Sequence, residues 1–397
     1  MPKILRIINR FNLGGPTYNA AYLTRYLSDD FQTLLIGGAK DESEESSTHI
    51  LEQLGVDYTI IPELRREINF KNDRIAYRKI IALIKEFKPD IVHTHASKAG
   101  AIGRLAAAKM NVPVIVHTFH GHVFHSYFSK PKTYFYKSVE RYLAKKSTKI
   151  IAISQKQKNE LACVHNIASP DKFEVIPLGF DLTKFTTDKE RKRKEFRDKY
   201  GLKDNQIAVG IIGRLVPIKN HELFLQAAEE IAKKNKNVMF FIVGGGELYE
   251  DLVNAAKNKG LNVAVPSHDF SNKSLIFTSW IKDVDDVLAG LDIVALTSLN
   301  EGTPVSLIEA QAASKPIVST NVGGIADIVP PGSNAVLLND VSNPSQFISN
   351  LNEMILRVSK NIVNTEELAQ FAFQQFHYTR LVDDMENLYN RLLSAKI

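Results

Sequence analysis

The sequence predicts an α/β fold built as two parallel-sheet domains that face a cleft. Three observations carry this. At 397 residues the chain exceeds what one hydrophobic core sustains and suits two domains. Short β-rich runs alternate with helical stretches, which argues for parallel strands joined by crossover helices. The alternation is interrupted at Thr186–Tyr200, where charges of both signs are interspersed as in a solvated helix beside a boundary. The expected domains are residues 1–178 and 179–378.

Composition narrows the class. Hydrophobic residues make up 44% of the chain, which excludes a disordered protein. No apolar run approaches the roughly 20 residues of a transmembrane helix. Residues 1–10 have basic side chains breaking a short apolar stretch and read as a first strand, not a signal peptide. A single cysteine, Cys163, forbids an intrachain disulfide and a cysteine-based zinc site. Together these favour a cytoplasmic protein. The net charge of +6 is uneven: residues 1–178 hold 26 Lys+Arg against 17 Asp+Glu, and the remainder 24 against 27. A basic front half suits an anionic partner, either a membrane surface or a phosphorylated substrate. No motif supports nucleic acid.

In the first half the expected strands are Ile4–Ile8, Thr33–Ile36, Tyr58–Ile61, Asp90–Thr94, Pro113–Thr118 and Lys149–Ile153, with helices such as Asn19–Leu27 and Arg74–Phe87. Ligands on parallel sheets bind at the carboxyl ends of strands, so the loops there matter most. Gly14-Gly15 after strand one lets backbone approach a ligand closely. Ser97 and Lys98 follow His93-Thr94-His95, where Lys98 can contact an anion. His93 and His95 share one strand face, a spacing that also suits a metal, but no third ligand accompanies them. His117, His120, His122 and His125 form a dense group. His120, before Gly121, is the one set to enter a cleft, where it can donate to a hydroxyl or titrate near neutral pH. Residues 127–146 interleave tyrosines and phenylalanines with lysines. Lys137, Arg141 and Lys145 recur every four residues. This pattern suits an anionic membrane surface, and equally a solvated helix with a tyrosine-rich inner face.

Val175–Asp181 ends the first set of strands, and a second set follows: Ile207–Ile212, Val238–Val243, Leu275–Thr278, Asp292–Thr297, Pro316–Ser319 and Ala335–Leu338. Arg214 and Lys219 sit in the turn after the first of these, where two cations can converge on one anion. Gly244-Gly245-Gly246 gives a close-approach turn. Trp280 and Ile281 can frame a flat base through their backbone, although a core role for the Trp280 ring is equally open. After Asp292–Thr297 comes Glu301-Gly302-Thr303-Pro304-Val305-Ser306, with Thr303 expected as helix N-cap and Pro304 as the first helical residue. A helix N-terminus suits a phosphate. Beside a diphosphate, Glu301 and Glu309 are suited to accepting hydrogen bonds from hydroxyls. Hydroxyls and a diphosphate together describe a nucleotide sugar. Asp283-Val284-Asp285-Asp286 reads as a helix start and not as a metal-binding DxD turn.

With these pieces the chain resembles the retaining glycosyltransferases of the GT-B fold in the large nucleotide-sugar family four. The most specific element is Glu301…Glu309, matching that family's E-x7-E motif. Gly14-Gly15, His120-Gly121, Gly213-Arg214…Lys219 and Gly323–Val329 support it. The run His93–Gly103 resembles bacterial surface-polysaccharide enzymes that build on lipid carriers. The resemblance implies two Rossmann-like domains, with a C-terminal helix, here residues 379–397, crossing back to the first. The first domain would bind the acceptor and the second the nucleotide sugar.

It also implies roles for single residues. Arg214 and Lys219 would hold the diphosphate, and Glu309 the ribose hydroxyls. Glu301 and His120 would contact the donor sugar. Amides from Gly302 and Thr303 to Val305 and Ser306 would meet the phosphate and sugar, and Gly15 the phosphate. Gly245, Trp280 and Ile281 would frame the base. Here Thr278-Ser279-Trp280 departs from the family, whose members often have glycine before the aromatic position. No metal and no cofactor is implied, because two cations and a helix N-terminus can stabilise the leaving diphosphate.

The reading is transfer of a sugar, N-acetylhexosamine, from a UDP donor to a lipid-linked or other glycan acceptor, with retention. The enzyme would work in the cytoplasm, peripheral on the inner face of the cell membrane. The alternatives are a GDP-mannose-dependent mannosyltransferase, a non-hydrolysing UDP-sugar epimerase, and a non-catalytic nucleotide-binding scaffold.

Overall fold

The computed structural model describes residues 1–397 except 13–14, 40–45, 66, 122–129, 267–269, 271 and 396–397. Gly14, His122, His125 and residues 127–129 of the basic aromatic stretch therefore lie outside the described residues. The chain divides into two units, Met1–Phe180 with Gln375–Ile397, and Asp181–Gln374.

The first unit carries strands β1 (Lys3–Arg10), β2 (Gln32–Gly38), β3 (Tyr58–Ile60), β4 (Ile91–His95), β5 (Val114–Phe119), β6 (Lys149–Ala152) and β7 (Phe173–Val175). They lie in the order β3-β2-β1-β4-β5-β6-β7, and every pairing is parallel. Helices cover the sheet, so β4 and β5 are buried along their whole length. The C-terminal helix Tyr378–Ser394 belongs to this unit. Its residues Leu381, Met385, Leu388 and Tyr389 recur at helical spacing. They are buried against Ile4, Leu23, Ile91 and Val114. Entry into this helix is pinned where the Phe180 and Tyr378 N–H groups donate to the Phe376 and Phe180 carbonyls.

The second unit repeats the plan with β8 (Ile207–Ile212), β9 (Val238–Val243), β10 (Val263–Ala264), β11 (Leu275–Ser279), β12 (Ile293–Leu296), β13 (Ile317–Thr320) and β14 (Ala335–Leu338). Their order is β10-β11-β9-β8-β12-β13-β14, again all parallel. The core between sheet and helices is built from Phe224, Phe240, Phe277, Phe347 and their aliphatic neighbours. In each unit the chain direction across the sheet reverses beside the first strand, at β1/β4 and at β8/β12. A crevice opens at the carboxyl ends of such strand pairs.

Among the described residues no helix is long and apolar enough to cross a membrane. In the helix Lys130–Lys146, Tyr134, Phe135 and Tyr142 are more than half exposed, and Lys145 and Lys146 are exposed beside them. Arg141 is not part of that outer face: its guanidinium donates to the His165 and Asn166 carbonyls.

Candidate functional site

In the second unit the turn after β8 and the turn after β12 are bonded to each other. The Leu299 N–H donates to the Ile218 carbonyl at 2.8 Å, and the Thr297 hydroxyl to the Lys219 carbonyl at 3.0 Å. This brings Lys219 Nζ to 2.5 Å from Glu301 Oε1. The Ser298 hydroxyl donates to the same oxygen, also at 2.5 Å. Ser298 is fully buried. One carboxylate oxygen is thus committed to a cation and a hydroxyl. Arg214 is exposed one residue past Gly213 and forms no ion pair among the described residues.

The backbone at Glu301 is clamped from the turn after β13. Gly324 donates to the Glu301 carbonyl at 3.1 Å, and the Thr320 hydroxyl donates to the Ser298 carbonyl at 2.7 Å. Gly323 has φ +60, and a Cβ there would lie 1.8 Å from the Glu301 oxygen. Only glycine meets both demands. The helix that follows is Val305–Ala312, one residue shorter at its start than expected. Pro304, at φ −71 and ψ 105, is extended and occupies the N-cap position, and Thr303 makes no cap. The first-turn amides still have no partner from a capping side chain.

Glu309 lies on this helix and is partly buried. Burial pushes its carboxyl up to about 7; nearby Lys184 pulls it down and Asp285 pushes it up. Gly244-Gly245-Gly246 is tied to the Arg214 turn by the Leu215 N–H to Gly245 carbonyl bond of 3.0 Å. A Cβ on Gly245 would meet Trp280 Nε1 at 2.7 Å. Trp280 is 55% exposed, so its ring is a surface feature beside this turn and not part of the core. Ile281 follows it on the same loop, partly exposed.

The first unit holds a separate cluster of imidazoles. His120 follows β5, and its Nε2 lies 2.9 Å from His95 Nδ1 at the end of β4. His93 stacks near His95, with ring centroids 4.2 Å apart, and its nitrogens bond to the Tyr389 hydroxyl at 2.6 Å and the Thr118 hydroxyl at 2.8 Å. His117 Nδ1 bonds to the Thr94 hydroxyl at 2.9 Å. Burial holds all four rings neutral. It pushes His120 down to about 4, which rules out the titration near neutral pH that its residue type suggested. His120 Nδ1 and His95 Nε2 are buried and have no hydrogen-bond partner among the described residues. Among the described residues no group of three or more His, Cys, Asp or Glu is arranged to hold a metal.

Ser97 begins the helix Ser97–Lys109, preceded by Ala96 at φ 64, a strained value for a residue with a Cβ. Lys98 turns instead to Asp73, at 2.6 Å, and to the Glu67 carbonyl. Its charge is therefore already matched. Gly15 begins the helix Gly15–Arg25, and a Cβ there would make only ordinary contact, 3.7 Å from Leu178. The second unit therefore brings together Lys219, Glu301 and Ser298 just before the Val305 helix, with Arg214 exposed on the turn that carries Lys219, and the first unit groups His120 with its neighbours. Sequence reasoning missed Ser298 as a Glu301 partner and His95 as the His120 partner. Ser298, three residues before Glu301, carried a weak signal in its spacing. The His95 contact is tertiary and had none.

Comparison with known proteins bears on both units. A family model described as Glycosyl transferases group 1 matches residues 192–361, and one described as Glycosyltransferase Family 4 matches residues 13–184. The chain is 33% identical over 340 residues to the UDP-Gal:alpha-D-GlcNAc-diphosphoundecaprenol alpha-1,3-galactosyltransferase of Escherichia coli, covering 83% of this chain and 82% of the relative. It is 25% identical over 348 residues to the capsular polysaccharide biosynthesis glycosyltransferase CapM of Staphylococcus aureus, covering 84% and 85%. Among solved structures, that of Anabaena HepE in complex with UDP matches in fold with a TM-score of 0.76. The two are 20% identical, over 98% of this chain and 100% of that one.

Proposed function

Since this chain belongs to the GT-B glycosyltransferases, in the group 1 and Family 4 families, we propose that it is a retaining hexosyltransferase moving a sugar from a UDP donor to a lipid-linked glycan acceptor in surface polysaccharide synthesis. The observation that carries this reading is the Lys219–Glu301–Ser298 cluster beside Arg214 at the start of the Val305–Ala312 helix. Arg214, Lys219 and the helix amides take the diphosphate, whose negative charge grows as the bond to the sugar breaks. That positive charge makes a metal unnecessary for the leaving group. Glu301 keeps its second oxygen for a sugar hydroxyl. Glu309, once ionised, accepts from the ribose diol. Gly245, Trp280 and Ile281 frame the base.

In the first unit, read as the acceptor domain, His120 meets the donor sugar as a neutral imidazole through Nδ1, and Gly15 lets the backbone approach. Ser97 faces the acceptor. Lys98 does so only by leaving Asp73. In the transfer step the C1–phosphate bond breaks, the acceptor oxygen bonds to C1 on the same face, and its proton passes to the departing phosphate oxygen. The alpha linkage named for the Escherichia coli relative supports retention.

The sequence alone favoured N-acetylhexosamine as the transferred sugar. The name of that relative puts galactose in the donor and GlcNAc in the acceptor, and this assignment is preferred here. The exposed aromatic and basic residues of Lys130–Lys146 support contact with an anionic membrane on its cytoplasmic face, where a lipid-linked acceptor is reached.

The test combines the purified protein with GlcNAc-diphospho-lipid and a panel of nucleotide sugars, following label into lipid. Transfer from UDP-galactose is expected. Transfer only from GDP-mannose sinks the uridine assignment, and conversion of a UDP-sugar without acceptor points to an epimerase. Sedimentation with anionic vesicles at low salt tests the membrane contact, and no binding removes it.

A further inference from the structure

The second unit has a recess of about 220 Å³ that the proposed transfer does not use. Its walls come from the helix Lys189–Lys199, from the end of the helix Val284–Gly290, and from residues 313–315 just past the end of the Val305–Ala312 helix. Lys189, Arg193 and Lys315 line it, with Ser314 between the lysines.

Helix C-termini account for part of this positive charge. Arg193 donates to the Ala289 and Gly290 carbonyls, and Lys315 to the Ala289 carbonyl at 3.2 Å. Cations at such ends are favourable. They do not account for the rest. Asp292 is the acid that acts on Lys315, and it is already shared by Arg193 at 2.7 Å, Arg197 at 3.2 Å and the Ala208 N–H at 2.8 Å. Glu190 lines the recess but is exposed.

Each lysine ammonium has three N–H donors. The contacts made are one carbonyl for Lys315 and the Ser314 hydroxyl, at 3.4 Å, for Lys189. Among the described residues neither ammonium touches a carboxylate. Burial, then Arg193, Lys189 and Arg197, pull Lys315 down to about 8, with Asp292 offsetting only part. A small oxyanion matches a partly enclosed pocket with unspent donors and uncompensated positive charge.

We propose that this recess binds a phosphate-type dianion, held by the Lys189 and Lys315 ammoniums and the Ser314 hydroxyl, with the Arg193 guanidinium behind. The site is distinct from the Arg214–Lys219 cluster and does not rest on the donor assignment. Its ligand is either free phosphate or the phosphate monoester of a lipid headgroup, which share this chemistry.

Site-resolved acetylation separates this site from any other phosphate site. Full-length protein is treated briefly with a water-soluble acetylating ester at pH 8, in chloride, inorganic phosphate or glycerol phosphate at equal ionic strength. Acetylation of Lys315 is then followed by peptide mass spectrometry. A several-fold slowing by inorganic phosphate is expected, and Lys189→Gln should abolish it. Slowing by glycerol phosphate as well extends the site to headgroups. Equal Lys315 rates in all three salts overturn the proposal. If Lys315 resists acetylation in every salt, calorimetric titration of inorganic phosphate decides. The wild type should then bind one phosphate more than the Lys189→Gln, Lys315→Gln double variant, and equal stoichiometry overturns the proposal.

Discussion

Replacing Glu309 with Gln should stabilise the free protein while weakening its nucleotide site, and the stabilisation should appear only above a defined pH. Burial lifts the Glu309 carboxyl from its ordinary 4.5 to about 7 in the folded chain. A raised carboxylate value means that ionisation is easier in the unfolded state. The penalty is therefore absent below about pH 4.5, grows as pH rises, and is complete above about 7. That interval is worth about 3 kcal/mol at roughly 1.4 kcal/mol per pH unit. For a domain of this size each kcal/mol moves Tm by about 2–4 °C. Glu309→Gln should therefore raise Tm of the second unit by about 6–12 °C at pH 8.5 and by almost nothing at pH 4.5. Binding runs the other way. A ribose diol favours the ionised carboxylate, so wild-type affinity for UDP should fall up to tenfold per pH unit below about 7. In Glu309→Gln that slope should vanish, with affinity at pH 8 lower by about 1.5–3 kcal/mol for the lost charge-assisted bonds. Scanning fluorimetry from pH 4.5 to 8.5, with and without UDP, measures both effects. A Tm difference independent of pH, or unchanged UDP binding by the variant, would refute the reasoning.

Three further outcomes follow from the contacts. Lys219→Met leaves Glu301 with only the Ser298 hydroxyl, and should lower kcat by about 10²–10³ in initial-rate assays, as expected for losing a charge at the leaving group. A Gly245→Ala Cβ would collide with the indole of Trp280, the chain's only tryptophan, so the emission maximum should shift and its response to UDP should shrink. His95→Ala removes the bond to His120 and empties a fully buried site, and should lower kcat about tenfold and Tm as well. His95→Asn, whose amide reaches the Nδ1 position, should recover most of that loss.

Much of the scaffold was legible because buried parallel strands are continuous apolar runs. Ile207–Ile212 and Val238–Val243 could be read at their observed bounds for that reason. The edge strand β10 could not, since two residues carry no pattern. The helix start was misjudged because a Thr-Pro pair fits either position, and only the extended ψ of Pro304 separates them. The charged pair at the site was legible as two residue types in two turns. What joins them, the Leu299 and Thr297 bonds to the preceding turn, is tertiary. The same holds for Lys98, whose exposed-looking charge is matched by Asp73 on a neighbouring helix.

The two units use one topology for opposite electrostatics. Each places the turn after its first strand beside the turn after the strand that follows the reversal. At β8/β12 the side chains there are an exposed Arg214 and the paired Lys219 and Glu301. In the first unit the imidazoles lie one strand further along, at β4/β5, held neutral by burial and bonded to each other and to Tyr389 from the C-terminal helix. A departing diphosphate needs fixed positive charge, and a sugar hydroxyl is better met by a neutral donor that adds none. Protonating the imidazoles would bring repelling charges together, and His120 at about 4 stays uncharged through the pH range in which Glu309 titrates. Acid inactivation between pH 6 and 7 should therefore trace to Glu309 and track nucleotide affinity. A profile there that instead moved with His120→Gln, with the Glu309→Gln response unaltered, would assign the titration to the wrong unit.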